Sequence, residues 1–327
     1  MHVRRGYLGW GIFLILTGAV PLALRSGYLT DEQIARVWTL WPLILIGIGV
    51  GLLLSRTRFD FIGGLIVAAT LGLMAGGFLS SGVGDFTSGA CGQGGGTVPF
   101  PTREGTFATT GARVDLQVEC GNVNVGVQVG NGWRVEGEDA KGTGPRVDAT
   151  EQTLRARPTD DNGTAFWALG RRDTWQVTLP DAVPLNLSLQ LNAGQARLAL
   201  AGAMLDAFNL ELNAGSAAVD LTSVAEIGGF DVGMNAGSLG VTLPNISMSG
   251  SIAANAGAIR LCVPAGVALR LRTGESIVAS YDYAGHGLVQ DGSTWATPGF
   301  DTASVKIDLE TTANAGSFTL DPEAGCD

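Results

Sequence analysis

The residues of this chain that could do chemistry are two histidines, four cysteines and a scatter of acids. His2 stands beside the start, and His286 lies in the Gly-flanked stretch "AGHGL". A zinc centre or a general base needs imidazoles, thiolates or carboxylates brought together at ligand spacing. No His-Glu-x-x-His, Cys-x-x-Cys or Gly-x-Ser-x-Gly pattern supplies that spacing. The run "GQGGG" suggests a phosphate cradle, but the Lys-Ser/Thr that completes such a loop does not follow. Asp206, Asp220 and Asp231 fall at different places in the repeat described below, so they form no row of acids for polysaccharide cleavage. The expectation is a chain with no catalytic residue, no metal site and no cofactor: not an enzyme.

Cys91, Cys120, Cys262 and Cys326 make an even set, which permits two disulfides in three connectivities. Such bonds belong to an oxidising compartment. The economical pairing is Cys91 with Cys120 and Cys262 with Cys326. Tyr281, Tyr283, His286 and Trp295 share one insertion. They read either as a recognition loop, for glycan stacking or a protein partner, or as a cap over the end of a repeat core.

A repeat must position these groups. Asn-Ala-Gly occurs five times, with Gly194, Gly215, Gly237, Gly257 and Gly316 at its end. Successive intervals are 21, 22, 20 and 59, the last close to three periods. A period near twenty marks a repeat architecture. Three residues before each Gly stand Leu191, Leu212, Met234, Ala254 and Ala313; four after stand Leu198, Val219, Val241, Leu261 and Leu320. Apolar residues at every second position on both flanks predict strands with one buried face. Degenerate copies place Gly121 and Gly274 at the same point. The expected fold is an all-β parallel β-solenoid with roughly 20-residue coils. Gly would accept positive φ at each bend, Ala would point inward, and stacked Asn amides would form a ladder shielded from water.

Ahead of the repeat lie three apolar runs, Tyr7–Leu24, Val37–Leu54 and Phe59–Leu79. Each has about the 17–25 residues that a helix needs to cross a bilayer. The expectation is a membrane α-helical anchor of three helices at residues 1–80. A Gly/Ser-rich linker at 81–101 and an extracytoplasmic domain at 102–327 follow. Arg4, Arg5, Arg56 and Arg58 against Arg25 and Arg36 place the N-terminus inside and the repeat domain outside. Gly47 with Gly51, and Gly72 with Gly76, are spaced for close helix packing, among themselves or with a partner helix. The chain carries a net charge of −10 although residues 1–80 hold six Arg and three acids. So acidic a repeat domain repels phosphate backbones, and no nucleic-acid partner is expected.

The stretches "GWGIFLILTGAVPL" and "VWTLWPLILIGIGVGLLL", with Trp41-Pro42 opening the second, resemble the membrane region of LiaF-type cell-envelope stress proteins over residues 6–56. The periodic strands closing on Asn/Thr-x-Gly corners resemble extracytoplasmic toastrack and adhesin-type domains of bacteria over residues 110–322. These resemblances imply a protein of the bacterial cytoplasmic (inner) membrane with its C-terminal domain on the periplasmic or extracellular side. They imply a part in envelope-stress sensing or signalling through protein–protein contacts, with the bilayer and integral-membrane proteins as partners. The alternatives are an accessory subunit of a large membrane complex, photosynthetic or respiratory, and an adhesin or glycan-binding module.

Overall fold

The computed structural model describes residues 11, 13–15, 19, 45–49, 64–73, 97–159, 173–274, 278–283, 287–321 and 325–326. The chain divides into two compact units, Met1–Gly89 and Ala90–Asp327.

In the first unit the described residues are helical. The longest unbroken described stretch, residues 64–73, extends about 15 Å at 1.5 Å per residue, half the hydrocarbon thickness of a bilayer. Among the described residues no helix is long and apolar enough to cross a membrane. The expected three-helix membrane anchor is therefore corrected for the described residues, which hold no helix of that length; most of the three runs lies outside them. Gly47 and Gly72 sit in helical stretches and are buried. Gly51 and Gly76 lie outside the described residues.

The second unit is a seventeen-stranded mixed sheet. Its first strands are β1 (Val98–Pro99), β2 (Arg103–Thr106), β3 (Ala112–Gln128) and β4 (Gly132–Asp139). β5 (Arg146–Thr150), β6 (Thr153–Arg157) and β7 (Asp173–Pro180) come next. The middle holds β8 (Pro184–Ala199), β9 (Met204–Asp220), β10 (Glu226–Ile227), β11 (Phe230–Thr242) and β12 (Met248–Cys262). β13 (Ala268–Thr273), β14 (Val278–Asp282), β15 (Val289–Asp291), β16 (Thr294–Ala296) and β17 (Lys306–Leu320) complete it.

The long strands β3, β8, β9, β11, β12 and β17 stack in parallel, in that order. Each Asn-Ala-Gly lies inside one continuous bent strand, not at a joint between two. Pairing skips the Asn: Leu212 faces Leu191 and Ala214 faces Ala193, while Asn213 faces no ladder partner. That skip moves the inward set by one residue. Leu189 and Leu191 are buried before the bend of β8, and Ala196 and Leu198 after it. The apolar slots therefore lie three before and two after the Gly, an odd spacing that a flat strand cannot bury on one side.

Both ends of the stack depart from a purely parallel solenoid, and the fold class is corrected accordingly. β4 runs antiparallel on β7, with β1 and β2 antiparallel on β4. β5 is antiparallel on β6. At the other end β16 lies antiparallel on β13, and β15 on β16. The end layers have only one parallel neighbour, and hairpin strands cover the free edge that would otherwise invite pairing with another chain. The Gly274 copy also fails as a bend. Its neighbours β13 and β14 pair separately with the two halves of β17.

Within the stack, Leu191, Leu212, Met234 and Ala313 are all at most 3 % exposed, and Phe208 stacks on Phe230 at 5.5 Å. Each fully buried Leu or Phe contributes about 1.5–3 kcal/mol, so the repeated slots are the main source of stability.

Candidate functional site

The Asn row forms a continuous hydrogen-bonded ladder. Asn213 Nδ2 donates to Asn192 Oδ1 at 2.7 Å, and Asn235 to Asn213 at 2.6 Å. Asn255 donates to Asn235 at 2.6 Å, and Asn314 to Asn255 at 2.8 Å. The ladder is exposed at most rungs, not shielded. Each internal amide spends a donor and an acceptor on its neighbours, which makes the row a structural seam. The Ala beside each Asn is half-buried or exposed, so it lies at the rim of the bend and not in the core.

Tyr281, Tyr283 and Trp295 come together on Phe318. Tyr281 stacks on Phe318 at 5.6 Å, and Tyr283 meets Trp295 edge-on at 5.8 Å. Tyr283 is fully buried. This geometry is a plug over the last layer's core. His286 lies outside the described residues. Burial pushes the Tyr283 phenol above its ordinary pKa. Thr311 is its nearest polar neighbour, but no hydrogen bond of normal geometry reaches the Tyr283 hydroxyl among the described residues, and the Thr311 hydroxyl reaches the Arg272 carbonyl at 3.4 Å. A buried hydroxyl left unpaired costs about 1–3 kcal/mol. Tyr283→Phe is therefore expected to raise the melting temperature, by the equivalent of about 1 kcal/mol. A lower melting temperature would show that the hydroxyl serves a bond.

Cys262 and Cys326 are joined in a disulfide with Cα atoms 5.9 Å apart. The bond ties the C-terminal end to the last residue of β12, and Cys326 is buried. Cys120 is also disulfide-bonded and half-buried at its bend. Cys91 lies outside the described residues.

Two acids are displaced from the ordinary carboxylate range. Burial alone would raise the pKa of Asp139, which is 8 % exposed. The backbone N–H groups of Gly144, Lys141 and Gly142, together with the Thr143 hydroxyl, outweigh that and hold it below the usual value. Those of Lys141 and Gly144 donate at 2.7 Å. Asp308 follows the same logic: burial raises it, but hydrogen bonds from Arg270 and Arg272 lower it further. Arg270 also lies over the Phe300 ring at 4.3 Å. Both carboxylates are thus spent on structure. The sign of the pH effect follows from the lowered folded pKa. The stabilisation is complete above the unfolded value and fades as pH falls through the folded one. The prediction is that Asp139→Asn lowers the melting temperature at pH 7 and reduces its fall between about pH 4 and pH 2. Parallel acid limbs for variant and wild type would remove Asp139 from this account.

Asp206, Asp220 and Asp231 lie apart, with Asp220 bonded to Thr222 and Asp231 to Ser251. Among the described residues no group of three His, Cys, Asp or Glu is placed to hold a metal. Sequence reasoning missed the Asp139 loop, although "DAKGTG" carries the Gly and Thr of an anion-binding turn. It also missed a lateral groove of about 760 Å³ across β3, β8, β9, β11 and β12.

A parallel stack of bent strands with antiparallel ends and an amide seam defines a β-repeat protein. Residues 102–253 match the family model described as the N-terminal domain of toast_rack, DUF2154. No curated protein matches the chain. A solved structure of a candidate cell adhesion protein from Clostridium sporogenes ATCC 15579 shares 14 % identity. It covers 68 % of this chain and 99 % of that one, with a TM-score of 0.48. A candidate adhesin from Bacteroides fragilis NCTC 9343 shares 11 % identity over 67 % of this chain and 96 % of that one, with a TM-score of 0.23.

Proposed function

We infer that the chain is a non-enzymatic protein of the bacterial cell envelope, working outside the cytoplasm by contacts with other proteins, in envelope-stress sensing or signalling. The observation that carries this reading is the Cys262–Cys326 disulfide, because such bonds persist in oxidising compartments and are rare in the cytosol. The toast_rack match over residues 102–253 supports it. The structural hydrogen bonds of Asp139 and Asp308 are in keeping with it.

The test is photo-crosslinking of the full chain in its native cells. The crosslinking residue replaces Val129 or Val289, which are 92 % and 61 % exposed. Thiols are trapped in acid at harvest. The expected result is a discrete adduct with another envelope protein, from cells in which Cys262 and Cys326 are trapped as a disulfide. Free thiols at both positions would overturn the compartment, and absence of any adduct from either site would overturn the contact role.

A further inference from the structure

We propose that the lateral groove across the first halves of the stacked strands binds a linear, neutral glycan. The proposal concerns a ligand and a face that the protein-contact reading does not use, so either can fail alone.

The groove holds a volume of about 760 Å³ and crosses β3, β8, β9, β11 and β12. Its lining side chains are the outward partners of the buried apolar set. Asn186, Ser188 and Gln190 come from β8, and Asn209 and Glu211 from β9. Gly233 and Ala253 leave a furrow beside them. Among the described residues the side chains of all five make no hydrogen bond or ion pair. The Asn192–Asn314 ladder, at the bends of the same layers, has its amides paired with one another. One polar row is closed on itself and the other is open.

The chemistry of the open row selects its ligand. Strand addition is blocked, since β8, β9 and β11 are each paired on both sides. Charge is nearly balanced. Asp115 pairs with Arg155 at 3.3 Å, and Asp231 accepts the Ser251 hydroxyl at 2.7 Å. Arg113 and Glu211, without an ionic partner among the described residues, offset one another, so the Asp231 carboxylate leaves the groove one negative charge in excess. One negative charge in excess repels a polyanion, and a single charge gives a polycation little hold. Amides, a hydroxyl and a carboxylate are donors and acceptors for neighbouring sugar hydroxyls. The open residues lie on two adjacent layers, β8 and β9, about 4.8 Å apart, which is close to the advance of one pyranose ring in an extended chain. No aromatic side chain lines the groove, so affinity rests on hydrogen bonds and is modest.

The test titrates the full chain with two neutral hexasaccharides, cellohexaose and chitohexaose, and with anionic hexagalacturonate, by calorimetry. At least one neutral hexasaccharide should bind with a Kd of about 0.1–1 mM, and hexagalacturonate at least about tenfold more weakly. Replacing Gln190 and Asn209 together by Ala should weaken the neutral ligand by about tenfold or more, with an unchanged melting temperature. Gln195→Ala, beyond the bend of β8 and outside the groove, should leave binding intact. The proposal is overturned if neither neutral hexasaccharide saturates below about 10 mM, if hexagalacturonate binds as tightly, or if the double variant binds like wild type.

Discussion

Gly237→Val is expected to abolish folding of the stack at 37 °C, or to cost more than about 4 kcal/mol where the variant still folds. Two independent effects act at this position. The backbone φ is +145°, in a region that a β-branched residue resists. More decisively, a Cβ built at Gly237 would lie 1.9 Å from the carbonyl oxygen of Gly215 in the layer before it. The same obstruction recurs along the column: a Cβ on Gly215 would lie 2.1 Å from the Gly194 oxygen, and one on Gly257 2.1 Å from that of Gly237. The blocking atom is backbone in a central parallel strand, so no side chain can swing away to relieve it. Gly237→Ala should therefore be nearly as damaging as Gly237→Val, although Ala is not branched. Asn235→Ala is the contrast. It removes two exposed amide hydrogen bonds and should cost only about 1 kcal/mol. Circular dichroism and thermal melting of the three variants decide the matter. A Gly237→Ala protein melting within a few degrees of wild type would contradict the close approach.

Replacing Cys262 and Cys326 together by Ser should lower stability by about 2–5 kcal/mol. The bond closes a chain separation of 64 residues, and the loop-entropy relation for that length gives about 4 kcal/mol. Contacts add to it. A Cβ at Gly240 would lie 1.7 Å from the Cys326 carbonyl oxygen, so the C-terminal end is seated against β11 where no side chain intervenes. Asp321 Oδ1 also accepts the Val263 N–H at 2.7 Å and links the same two segments. Without the disulfide, these contacts must hold the end alone. The double variant should show early protease cleavage after Leu320 and a lower urea midpoint. A midpoint unmoved by dithiothreitol in the wild-type protein would show that the link does not restrain the fold.

The interior layers were legible in the sequence because their cause is local. Period-2 apolar residues, a fixed Asn-Ala-Gly and a constant interval together specify which side chain sits above which, and Gly194, Gly215, Gly237, Gly257 and Gly316 do stack in register. The glycines report more than φ, since the need for an absent Cβ arises from the neighbouring layer and has no signature within one repeat. The ends were not legible. β4, β5, β15 and β16 turn antiparallel because the stack stops there, a fact about neighbours and not about their own residues. Gly274 matched the repeat in spacing but has no positive φ and faces the Thr312 side chain, so matching spacing did not make a bend. The groove was hidden for the opposite reason: Asn186, Gln190 and Asn209 look like ordinary solvent-facing partners of a buried row until β8 and β9 are placed side by side.

The glycine column also bears on how such a chain changes length. Every layer from β8 to β12 offers the next one the same Cα path, the same bare bend and the same amide. A segment running from one Gly to the next, such as the 22 residues that separate Asn213 from Asn235, is then a self-contained brick. Duplicating or excising it leaves both new junctions with the pairing that the old ones had. Growth by whole bricks alters reach in steps of about 4.8 Å while the two specialised ends stay as they are. A partial brick would misalign every bend above it. Tandem duplication, more than point change, is thus the easy route by which this architecture acquires a new span.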